Sequence, residues 1–97
     1  MTSTYGTVQG GYTKTGKIVT FDIALSLSTA IPVGMYSLGI GLPLKRGYAP
    51  IVGFVPDTGA YHNAFIAPSG EFFIFANAQI NAGYTVCLAG AYIANLD

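Results

Sequence analysis

Apolar and polar residues alternate most regularly between residues 18 and 28, where Val19, Phe21, Ile23, Leu25 and Leu27 interleave with Thr20, Asp22, Ala24, Ser26 and Ser28. A repeat of two is the side-chain period of a strand, and the β-branched and aromatic content favours extension over a helix. The pattern predicts a strand with one buried and one polar face.

Other segments read as strands by their boundaries. Residues 5–12 form a first extended run, joined to the alternating strand through Lys14, Thr15, Gly16 and Lys17 as an opening hairpin. Pro32 and Gly34 break the ladder before a strand over residues 35–42, because proline lacks a donor and glycine relaxes the backbone. Residues 42–50, with two prolines, Gly47 and the pair Lys45 and Arg46, read as an exposed connection. A hairpin follows, with strands over 51–55 and 60–67 and a turn at Pro56, Asp57, Thr58 and Gly59.

Two further strands differ from the first. In residues 71–76, Phe72, Phe73, Ile74 and Phe75 follow one another, so both faces are apolar. After a turn at residues 81–83, the last strand over 84–93 sets Tyr84, Val86, Leu88 and Tyr92 against Thr85, Cys87, Ala89, Ala91 and Ile93, and neither face is charged. Short strands between Gly and Pro turns, with no helical periodicity, predict one all-β domain over residues 1–97, an antiparallel sandwich of jelly-roll type or a barrel. A two-layer domain buries one face of each strand, so the second face of these two predicts a neighbouring copy. Phe72, Phe73, Ile74, Phe75, Tyr84, Val86 and Tyr92 are accordingly the expected subunit interface.

Composition strengthens the expectation of a partner. The 97 residues are 52% hydrophobic and 8% charged, against a charged share of about 25% in ordinary soluble domains. Apolar surface in that excess points to self-association. Four basic and four acidic residues cancel to zero net charge, which supplies no field for nucleic acid. The single cysteine, Cys87, excludes an internal disulfide framework and a zinc site built on several thiolates. No run is long and apolar enough for a membrane-spanning helix, and the first residues lack the features of a signal peptide, so neither membrane insertion nor a secretory leader is expected.

The order of these elements resembles the C-terminal head, or receptor-binding, domains of bacteriophage tail fibres and baseplate proteins. The matching stretches are Lys14-Thr15-Gly16-Lys17-Ile18-Val19, the Pro32-Val33-Gly34 break, and Leu42-Pro43 followed by Gly47-Tyr48-Ala49-Pro50. They continue with Ala64-Phe65-Ile66, Pro68-Ser69-Gly70, Phe72-Phe73-Ile74, Gly83-Tyr84-Thr85-Val86 and Gly90-Ala91-Tyr92-Ile93. Lys45 and Arg46 lengthen the connection beyond the family's common form. The resemblance implies a homotrimeric sandwich on a virion, at a tail-fibre or baseplate tip, that adheres to a bacterial surface saccharide or polymer.

Candidate ligand residues are few. His62, the only histidine, lies between Tyr61 and Asn63, just after Asp57 in the preceding turn, a set able to hydrogen-bond a sugar hydroxyl or a phosphate. The plainer alternative is a strand histidine on a solvated or interface face. Lys45 and Arg46 suit an anionic polymer, since the guanidinium fork matches phosphate oxygens, although adjacent basic residues also simply solvate a loop. Tyr48 and Tyr61 suit stacking on sugar rings or ordinary packing. Asp22 and Glu71 show no sign of converging as a glycosidase pair, and no nucleophile motif, phosphate loop or metal-spaced cluster is present, so neither an enzyme nor a cofactor is expected. Two readings remain: a host-adhesion head that trimerises and binds a saccharide, or a structural module that caps a fibre or decorates a capsid without binding a receptor.

Overall fold

The computed structural model describes residues 2–42 and 47–94. Within them run seven strands: β1 (Gly6–Thr15), β2 (Ile18–Leu27), β3 (Gly34–Gly39), β4 (Ala49–Val55), β5 (Ala60–Ile66), β6 (Phe72–Ala76) and β7 (Thr85–Ile93). The described residues include no helix, and so none long and apolar enough to cross a membrane.

Local chemistry accounts for the hairpins. Thr15 pairs with Ile18, so β1 and β2 turn through Gly16 and Lys17 alone. Gly16 takes φ 60° there, a left-handed conformation that two-residue hairpin loops require and that glycine adopts without penalty. Between β4 and β5, the Val55 carbonyl accepts from the amides of Thr58 and Gly59. β3 ends sooner than its apolar run suggests, because the register shifts between Ser37 and Gly39. Beyond that bulge Ile40 holds a φ of 75°, costly for a β-branched residue, with its amide on the Thr2 carbonyl at 2.8 Å.

All strand neighbours are antiparallel and lie in one sheet, in the order β1-β2-β7-β4-β5-β6-β3. Three strands separate β2 from β6 in that order. In a flat sheet four strand spacings of about 4.8 Å would hold them ~19 Å apart. Yet the rings of Phe21 on β2 and Phe72 on β6 meet edge to face with centroids 5.4 Å apart. The sheet is therefore curled into a half-barrel whose two halves face each other. Only Gly53 with Leu88 and Phe54 with Cys87 pair across the β4–β7 junction, which joins the halves. At Gly53 a Cβ would stand 3.4 Å from Ile74, Leu88 and Val86, the side chains that pack over the junction.

The all-β antiparallel expectation holds, but the layout differs from two separate sheets: one continuous sheet supplies both walls of the core. The alternation of β2 is realised in full. Val19, Phe21, Ile23, Leu25 and Leu27 point inward and are buried. Val86 and Leu88 of β7, with Phe72 and Ile74 of β6, complete the same cluster. Burying each such side chain contributes about 1.5–3 kcal/mol.

That packing corrects the expected subunit interface. Phe72, Ile74, Val86 and Tyr92 are enclosed within their own chain, at 0%, 0%, 0% and 7% exposure, and have no surface to offer another copy. The curl consumes them: facing halves of one sheet bury the inward residues of β6 against those of β2 and β7. Only Phe73, Phe75 and Tyr84 of that set keep a surface.

Candidate functional site

On β5 the side chains alternate, so Tyr61 and Asn63 point outward while His62 points into the half-barrel. One ligand cannot touch all three. The candidate residues thus divide between an end cavity, reached by His62, and the outer face of the sheet.

His62 is 3% exposed. Its Nδ1 accepts a hydrogen bond from the Asn77 amide at 3.3 Å, and Asn77 Nδ2 donates to the Tyr61 carbonyl at 3.3 Å, clamping the end of β5 to the chain leaving β6. With Nδ1 accepting, the ring proton sits on Nε2. Burial lowers the pKa of His62 below its ordinary 6.5, so the ring is neutral near pH 7.

Beside His62 lies a cavity of about 120 Å³ between the β4–β5 turn and the segment that leads from β6 to β7. Val55, Ala60, Ala78 and Ile80 form its apolar walls. Thr58, Gln79 and Tyr84 add polar groups beside His62, and among the described residues no charged side chain lines it. Gln79 Nε2 donates to Asn81 Oδ1 at 3.1 Å, and Asn81 Nδ2 reaches the Tyr84 hydroxyl at 3.5 Å. Asp57 does not line the cavity: its Oδ2 accepts from the Thr85 amide at 2.9 Å, pinning the β4–β5 turn to the start of β7.

The outer face is built by strand register. One row across β4, β5, β6 and β3 reads Pro50, Phe65, Phe73 and Ser37; the next reads Val52, Asn63, Phe75 and Met35. A third row runs from Ala24 on β2 through Cys87 and Phe54 to Tyr61. None of these residues is charged. Phe65 stacks on Phe73 at 5.0 Å with the rings 7° apart, touches Phe75 at 5.7 Å, and meets Tyr48 edge-on at 5.5 Å. Phe54 and Tyr61 lie 4.8 Å apart. Tyr48, Tyr61, Met35, Val52 and Phe75 all remain exposed. At one margin Glu71 closes the apolar area, accepting from Ser37 Oγ at 2.8 Å and Ser69 Oγ at 3.3 Å.

Lys45 and Arg46 lie outside the described residues. Among the described residues no group of three His, Cys, Asp or Glu side chains is placed to hold a metal ion. Sequence reasoning passed over Ala78, Gln79 and Ile80, which read only as the approach to a turn, and over Phe54 and Phe65, which read as ordinary strand residues. The strand expected over residues 60–67 was itself enough to separate His62 from Tyr61 and Asn63, because successive side chains of a strand point to opposite faces. No protein-family model matches this chain, and no curated protein matches its sequence.

Proposed function

We propose that this chain is the adhesion head of a bacteriophage receptor-binding protein, a homotrimer that holds a bacterial surface saccharide or anionic polymer at the end of its half-barrel. The reading rests on the outer face of the sheet, two rows across β4, β5, β6 and β3 and a third across β2, β7, β4 and β5, without a charge and with five aromatic rings among them. Contiguous apolar area of that kind marks a surface that meets a partner. In a chain with eight charged residues, four basic and four acidic, other copies are the economical partner. Copies packed through this face leave their loop ends free, and at one of those ends stand His62, Thr58, Gln79, Asn81 and Tyr84. Side chains of these types, hydroxyl, amide and imidazole beside an aromatic ring, suit a neutral hydroxylated ligand.

The test is a pull-down of bacterial envelope fractions, separated into wall polysaccharide, teichoic-type polymer and protein, with the assembled oligomer. Retention of a saccharide or polymer fraction is expected. If an intact oligomer retains none from a broad panel of bacteria, the adhesion reading fails and a structural fibre-capping role takes its place.

A further inference from the structure

We propose that the end cavity is a recognition subsite for an acetamido group, the methyl-carbonyl-NH unit carried by N-acetylated amino sugars and by N-acetylated amino acids. Assigning it to a sugar rests on the adhesion reading above; the cavity's preference for the group does not.

Size limits the occupant first. An apolar cavity of about 150 Å³ takes up a benzene molecule, six heavy atoms. At about 120 Å³, this one suits four or five heavy atoms, which excludes a whole sugar ring and admits a substituent. Charge limits it next. Walls of Val55, Ala60, Ala78 and Ile80, with no ionised side chain among the described lining residues, penalise a carboxylate or an ammonium group. The occupant should be neutral and carry a methyl group for those walls.

His62 supplies the polar requirement. Its Nδ1 is taken by the Asn77 amide, and Nε2 has no hydrogen-bond partner among the described residues. Among the described residues no buried side-chain nitrogen or oxygen lacks a partner, so Nε2 is not sealed from solvent, and His62 lines the cavity. A buried ring with one N–H left over, beside a small apolar well, calls for a single acceptor at the far end of the ligand group. An acetamido carbonyl meets that need, its methyl fills the space between Val55, Ala60 and Ile80, and its N–H is left at the mouth with Thr58, Gln79 and Tyr84.

Nuclear magnetic resonance titration of the full chain tests this with N-acetylglucosamine, glucose, N-acetylalanine amide and alanine amide. Both acetylated compounds should shift the amides of residues 58–62 and 77–84, with affinity at least tenfold above their unacetylated counterparts. Ala78→Leu, at an exposed position on the cavity wall, should abolish the shifts without unfolding the chain. His62→Phe keeps an aromatic ring but removes the donor, and should weaken binding of both acetylated compounds. Equal binding of glucose and N-acetylglucosamine would overturn the subsite while leaving saccharide adhesion intact. Binding of the acetylated amino acid alone would keep the subsite and remove its assignment to a sugar. Shifts outside the cavity, undiminished binding by Ala78→Leu, or no binding of either acetylated compound would each defeat the proposal, whatever the envelope pull-down shows.

Discussion

A neutral histidine inside a small domain makes stability depend on acidity. The folded-state pKa of His62 is lowered from 6.5, and burial is the cause. The unfolded chain therefore binds a proton more readily than the folded one. Stability should be flat above about pH 6.5 on account of this residue and fall as pH drops below it, by at most about 1.4 kcal/mol per pH unit until the folded ring also protonates. Urea unfolding at pH 8, 6 and 5 should show that decline, and His62→Phe should flatten it. An equal slope in the variant would mean that other groups govern acid sensitivity. Asp57 acts differently: Asp57→Ala removes the acceptor of the Thr85 amide and should cost on the order of 1 kcal/mol in the same assay, with little effect on ligand binding.

Among the elements, β2 was the most legible, because one face of a half-buried strand writes its burial directly into a two-residue repeat. Leu25 is fully enclosed and Ser26 exposed beside it. Leu25→Ala should cost about 2–5 kcal/mol in unfolding free energy, whereas Ser26→Ala should stay within about 0.5 kcal/mol. The run from Phe72 to Phe75 was legible as doubly apolar, but its two faces have different fates. Phe72 and Ile74 entered their own core, and Phe73 and Phe75 stayed outside. That division depends on the curl of the sheet. The curl depends in turn on pairings such as β2 with β7, whose partners Asp22 and Ala89 lie far apart in the chain. Hydrophobic periodicity is local and holds no record of such pairings. The same limit hid part of the outer face: Phe54 and Phe65 read as ordinary strand residues, and they join Phe73 in one surface only when register sets them side by side. The end cavity was illegible for a related reason, since Ala60 and Ile80 are brought together by the Asn77 clamp on His62 and by the paired bridge of Ile31 with Ile80.

For the whole molecule, the half-barrel resolves the excess of apolar residues into two surfaces with different roles. The inner one is satisfied within the chain. The outer one, with Phe75 44% and Tyr61 64% exposed, is not. Phe75→Asp places a charge on the outer surface of β6 without reaching the core. Its circular dichroism should match the parent, while its mass in solution should fall to that of one chain. A variant of the same outer face but well away from the aromatic rows, such as Thr20→Asp on β2, should leave assembly unchanged. Sedimentation equilibrium of the unmodified protein tests the central claim most directly. Three copies of the 10.1 kDa chain at micromolar concentration is the expected result, and a stable, folded monomer at that concentration would contradict it.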